Sequence, residues 1–101
     1  MILCCGEALF DVFMSGADSQ GPVQMEAHAG GSPFNVAIGI ARLGGSSALL
    51  TGVSRDLLGE RLRSALEDEL VSKDYLVRSG NRTTLSLVGV NSFGHPDYVF
   101  Y

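Results

Sequence analysis

Residues 30–45, Gly30-Gly31-Ser32-Pro33-Phe34-Asn35-Val36-Ala37-Ile38-Gly39-Ile40-Ala41-Arg42-Leu43-Gly44-Gly45, constrain this chain more than any other stretch. Ser32 suits a helix N-cap, and Pro33 suits the first helical position, where a missing N–H costs nothing. Gly44 suits the residue just past the end. Nearly every residue between these caps is apolar or small, which predicts a helix over 33–43 that is buried on most sides. Glycines directly ahead of a helix let backbone N–H groups approach a ligand, and a helix N-terminus favours polar or anionic groups. Asn35, in the first turn, offers an acceptor and two donors to whatever sits there. The plainer alternative is a tight turn at Gly30-Gly31 with Asn35 satisfying backbone.

The flanking segments alternate between strand and helix patterns. The apolar run Ile2-Leu3-Cys4-Cys5, ending at Gly6, reads as a buried strand. Leu9, Phe10, Val12 and Phe13 continue in extended character around a single acid, Asp11. Ser15 to Pro22 is rich in turn formers and reads as a loop. Val23 to Ala29 alternates apolar and polar residues, as a half-exposed strand does. Ala48, Leu49, Leu50 and Val53 make a second buried strand. Leu58, Leu62, Leu66 and Leu70 recur every four residues, predicting an amphipathic helix of about four turns. Its last turn carries Glu67, Asp68 and Glu69, the wrong charge for a helix C-terminus. Leu76 and Val77 suggest a short strand. Thr83–Val90 and Tyr98–Tyr101 bracket Asn91–Asp97 and read as a β-hairpin with a long loop. Strands alternating with helices indicate a parallel, doubly wound α/β sheet. Two or three parallel strands are too few to close such a domain.

Composition removes several function classes. At 101 residues the chain holds one domain at most. No run of about 18 apolar residues exists, so no membrane span is expected. The start lacks a cationic segment and reaches Glu7 and Asp11 quickly, which argues against a secretory signal. A net charge of −4 with only 7 Lys+Arg argues against nucleic acid, whose binding needs clustered cations. The two cysteines, Cys4 and Cys5, are adjacent and build no disulfide framework, and no Cys or His is spaced for zinc. A reducing cytoplasmic setting fits best. The 13 glycines and the apolar runs look like the interior of something larger.

The chain has no Walker-type G-x-x-x-x-G-K-[ST] loop and no G-x-G-x-x-G after the first strand. Lys73, the single lysine, stands in a loop without anion-binding company, and His28 and His95 fall in surface strands or loops. Two features survive. Asp11 stands among apolar residues just after the first strand, where open α/β sheets place ligands. A carboxylate there can accept charge-assisted hydrogen bonds from two adjacent hydroxyls, although an Asp capping a turn is the plainer reading. Gly30-Gly31 leading into the helix that carries Asn35 is the second. Asp, Gly-Gly and Asn together make a polyol-binding kit.

The stretch Gly30–Gly44 closely resembles the N-terminal signature of the PfkB/ribokinase family of carbohydrate kinases. Gly6-Glu7-Ala8-Leu9-Phe10-Asp11 is similar to that family's opening G-E-x-L-x-D, especially in fructokinases. Gly52-Val53-Ser54-Arg55-Asp56-Leu57-Leu58-Gly59 matches its G-x-x-x-D-x-x-G segment, with Ser54 where many members have Gly. Thr83–Val88 and Tyr98–Tyr101 resemble the lid strands of fructokinase-like members.

The resemblance implies a ribokinase-like three-layer α/β/α core with a small β-sheet lid, of which residues 1–101 are the N-terminal part. Core strands and helices would occupy about 1–9 and 33–78, and lid strands about 10–29 and 83–101. It implies that Asp11, Gly30, Gly31 and Asn35 bind a sugar and that Phe100 packs over it. Phosphate would pass from ATP, with Mg²⁺, to a primary hydroxyl of a sugar such as fructose. The nucleotide site and catalytic aspartate would lie outside these residues, since no D-T-x-G-A-G-D-like segment occurs here. A homodimer formed through the lid is implied as well. Ribose, nucleoside or 2-keto-3-deoxygluconate kinases of the same fold, and a non-catalytic dimerisation module, are the alternatives.

Overall fold

The apolar runs fold as strands where they are short and β-branched or bounded by glycine, and as helices where capped. The computed structural model describes residues 1–15, 20–90 and 93–101. Its elements are β1 Ile2–Cys5, β2 Leu9–Ser15, β3 Gln24–Gly30, α1 Ser32–Arg42, β4 Ser47–Ser54, α2 Leu57–Asp68, β5 Leu76–Ser79, β6 Leu85–Val90 and β7 Pro96–Phe100. They form two sheets. The core sheet runs β1-β4-β5 and is parallel, with Cys4 beside Leu49 and Val53 beside Arg78. The second sheet runs β3-β2-β6-β7, with β2 and β6 parallel and both outer pairs antiparallel. Parts of the expected Ser15–Pro22 and Asn91–Asp97 loops, residues 16–19 and 91–92, lie outside the described residues. Ser15 itself ends β2.

Both helices pack on β4, and Cys4, Phe34, Ala37, Leu49, Leu62 and Leu66 form one apolar cluster between them and the sheet. On the opposite face of the core sheet Leu3, Leu50 and Val77 stand exposed, while Ala48 beside Leu3 is buried. The expectation of strands buried on both sides therefore holds on one side only. Parallel sheets bury both faces only when helices cover each, and α1 and α2 cover one. For the same reason α1 is not buried on most sides: only Phe34 and Ala37 are fully enclosed, and Val36 is exposed.

The helix ends correct two further expectations. The N-cap of α1 is Gly31 at φ 106, not Ser32, so Ser32 is already helical and makes no capping bond. Only glycine adopts that φ without strain, so the helix starts as soon as the chain leaves Gly31. Helix α2 ends at Asp68, before Leu70, which takes a left-handed φ of 63 and is exposed. Leu70 N donates to Glu67 O and Val71 N to Leu66 O, a Schellman closure in which Val71, not Leu70, packs back on Leu66. The acidic last turn is offset by cations from elsewhere. Arg42 Nε donates to Glu69 at 2.8 Å, and Lys73 pairs with Glu67 at 3.1 Å, so Lys73 does have company. No helix among the described residues is long and apolar enough to cross a membrane.

Candidate functional site

Strand β2 alternates, as a two-faced strand must: Phe10 and Val12 are buried and Asp11 between them is half-buried. Pairing extends that alternation across the whole second sheet. Asp11 sits beside His28 on β3 and Ser86 on β6, and Ser86 sits beside Phe100 on β7. Directly paired residues share a face, so His28, Asp11, Ser86 and Phe100 form one row, spaced about 5 Å per strand. The opposite face is apolar, with Val12 beside Ala27 and Leu87, and Leu87 beside Val99.

The Asp11 carboxylate has no hydrogen bond or ion pair among the described residues. Neither does the Ser86 hydroxyl, although Ser86 is only 2% exposed. Neither group is sealed from solvent, so both oxygens can accept or donate to a molecule that reaches them. The one fully sealed, unpartnered side-chain atom among the described residues is Arg78 Nη1, so the Ser86 oxygen keeps an opening to solvent. At one end of the row His28 is tied down: Nε2 pairs with Glu26 Oε1 at 2.8 Å, and the ring meets Phe13 edge-on. At the other end Phe100 is largely exposed.

Gly30 lies against this row, and Gly31 lies against the core crossing beside it. A Cβ on Gly30 would stand 2.5 Å from Asp11 Oδ2, and thus cover the carboxylate. A Cβ on Gly31 would meet Glu7 O at 2.5 Å, so the two segments touch through bare backbone. Beside Glu7 and Ala8 lies a cleft of ≈ 260 Å³ at the carboxyl ends of the core strands, edged by Thr51, Ser79 and Thr84. Open α/β sheets hold ligands there.

Asn35 follows one turn later, its backbone N donating to Gly31 O at 2.9 Å. Its exposed side chain edges a different groove, of ≈ 520 Å³, with Ala29, Phe34, Arg42 and Glu69. Glu69 is held below the ordinary carboxylate range there by the hydrogen bond from Arg42. The structure thus groups Asp11, Gly30 and Gly31 and places Phe100 two strands away in the same row, but it sets Asn35 on a separate groove, away from the cleft beside Glu7. Ser86 was not among the residues picked from sequence. A serine in an apolar strand carries no local signal, and only the β2–β6 register puts it next to Asp11.

A second carboxylate behaves in the opposite way. Asp56 caps α2 with Oδ1, which accepts from Gly59 N at 2.8 Å, and also reaches Thr83 with both oxygens. The Thr83 hydroxyl first, then the Thr83 and Gly59 amides, hold its carboxyl far below the usual range. Ser54, the departure from the family's glycine, is part of the same turn, its hydroxyl accepting from Asp56 N at 3.0 Å.

Fold and site define a class: an α/β protein whose accessory sheet presents a polar row beside the glycines that open a core helix. The chain belongs to the pfkB family of carbohydrate kinases, whose profile matches residues 1–101. It is 36% identical over its whole length to a fructokinase of Rhizobium leguminosarum bv. trifolii, 30% of which it covers. A crystal structure of fructokinase from Xylella fastidiosa superposes with a TM-score of 0.91 at 35% identity, over 99% of this chain and 31% of that one. The same organism's fructokinase with bound ATP gives 0.89 at 33% identity, over 99% and 32%. The chain therefore spans about a third of the length of the relatives it matches.

Proposed function

We propose that residues 1–101 are the sugar-recognition part of a fructokinase-like kinase, which transfers the γ-phosphate of ATP to a primary hydroxyl of a sugar such as fructose. The observation that carries this reading is the row of unpartnered polar groups, Asp11 and Ser86, kept open by Gly30. A carboxylate beside a hydroxyl supplies acceptors and a donor to sugar hydroxyls, and charge-assisted bonds fix the orientation. Gly31 holds the N-terminus of α1 beside Glu7, Phe100 supplies an apolar surface for one sugar face, and Asn35, on the neighbouring groove, takes a hydroxyl from a ligand that extends there. The four-stranded sheet, about 10–29 and 83–101, then acts as the lid over the core at about 1–9 and 33–78. Its closure excludes water from the transfer.

Among the described residues no three His, Cys, Asp or Glu side chains gather as a metal site. Mg²⁺ and ATP are proposed to bind in parts of the kinase outside 1–101, where the family resemblance places the nucleotide site and the catalytic aspartate. The adjacent free cysteines suit a cytoplasmic protein. The test is an NMR titration of the chain with fructose, ribose, 2-keto-3-deoxygluconate and adenosine. Saturable shifts at Asp11, Gly30 and Ser86 are expected, strongest with fructose and lost in Asp11→Ala. Unchanged shifts in that variant remove Asp11 from the site, and a preference for another compound changes the substrate.

The apolar face of the same sheet favours a second role for it. Met14 and Met25, paired with one another, and Val99 stand exposed there, and exposed apolar patches mark association surfaces. A homodimer through this face is expected. Val99→Lys should convert it to a monomer in light scattering, and a wild-type monomer at the same concentration refutes it.

A further inference from the structure

Among the described residues the chain passes between the two sheets at three places: Gly6–Ala8, Gly30–Gly31 and Gly80–Thr84. The first two have no side-chain hydrogen bonds among the described residues and turn on glycines at φ 142 and φ 106, Gly6 lying against Pro33 and Gly31 against Glu7. The third is built differently. Asp56 Oδ1 accepts from the Thr83 hydroxyl at 2.5 Å, and Oδ2 accepts from Thr83 N at 2.8 Å. The next residue holds the other sheet, because Thr84 O accepts from Phe10 N on β2 at 3.1 Å. Within two residues the chain is fixed first to the core and then to the accessory sheet.

A helix cap needs one side-chain oxygen bonded to an amide of the first turn. The Gly59 bond meets that need, and the two bonds to Thr83 lie beyond it. We propose that Asp56 is a latch that fixes the root of β6 on the N-terminus of α2 and sets the angle between the two sheets. It is a positioning residue. The crossings at Gly6 and Gly31 carry no such bond, so the angle is held at Thr83. The latch itself stands on geometry; its effect on turnover rests on the lid reading above.

Asp56→Ser separates cap from latch, because a serine hydroxyl still caps α2 but cannot reach Thr83 with a second oxygen. Amide exchange followed by NMR in the 101-residue chain should speed up at least tenfold at Phe10 and Leu85, neither of which touches Asp56. Amides of α2 and β4 should stay within twofold of wild type. Residual dipolar couplings of the two sheets, fitted by one alignment tensor in wild type, should need two. Wild-type exchange at Phe10 and Leu85 with a single tensor makes Asp56 a cap only and overturns the latch. Thr83→Val leaves the cap untouched and should shift both readouts the same way to a smaller extent. If Asp56→Ser does not fold, a wild-type result in Thr83→Val overturns the proposal alone. A chain that binds no sugar yet loses its single tensor in Asp56→Ser removes the sugar reading and keeps the latch.

Discussion

Asp11 and Asp56 are both half-buried carboxylates beside a crossing between the two sheets, and they are treated in opposite ways. Asp56 accepts three hydrogen bonds and fastens its crossing. Asp11 accepts none from the described residues, and the glycine next to it withholds even a methyl group from its oxygen. A carboxylate that serves stability has its lone pairs filled by the chain. On the proposed reading, one that serves recognition is left to be met from outside.

Exchanging the two losses is the strongest way to break this contrast. Two charge-assisted hydrogen bonds at about 1.5–3 kcal/mol each mean that Asp11→Ala should weaken fructose binding more than about a hundredfold. Its urea midpoint should match or exceed wild type, since an unpartnered group has been removed. A clear fall in the midpoint would show that Asp11 is structural after all. Gly30→Ala probes the opening from the other side. Its methyl should lower affinity about tenfold by covering Asp11 Oδ2, and unchanged affinity would mean that the ligand reaches Asp11 by another path. Asp56→Ala should cost about 1–2 kcal/mol of stability as a lost cap, read by urea unfolding.

The finest distinction is in pH. The folded-state pKa of Asp56 is depressed by Thr83 and Gly59, so its contribution is complete above the ordinary carboxylate value of about 4 and is lost as pH falls towards the folded value. The stability gap between wild type and Asp56→Asn should be constant from neutral pH to about 5 and narrow on further acidification. A gap that does not change down to strongly acid pH would mean that the ionised form of Asp56 is not what holds Thr83.

The order of elements was legible in the residues because each is encoded locally. The four-residue leucine period marked α2, the period of two marked β3, and Gly44 marked the end of α1. Three things were not legible, each for a physical reason. The separation into two sheets depends on β2 pairing with β6 rather than with β1, a choice that no local pattern records. The exposure of Leu3, Leu50 and Val77 depends on what covers them, whereas their apolar character depends only on themselves. In the site, Asp11 and the glycines declared themselves by standing out from their neighbours, but Ser86 acquired its place from a strand pairing alone.

That pairing also sets when the site comes into being. The Asp11–Ser86 contact joins strands separated by two helices and most of the core sheet in sequence, and closing such a loop must be compensated by contacts made afterwards. Parallel pairings between distant segments form slowly. The β1–α1–β4–α2–β5 unit can gather from nearer neighbours, so the Asp11–Ser86 row is expected to assemble late in folding. During synthesis Asp11 leaves the ribosome long before Ser86, and for that interval the chain has a core in the making while Asp11 lacks its neighbour in the row.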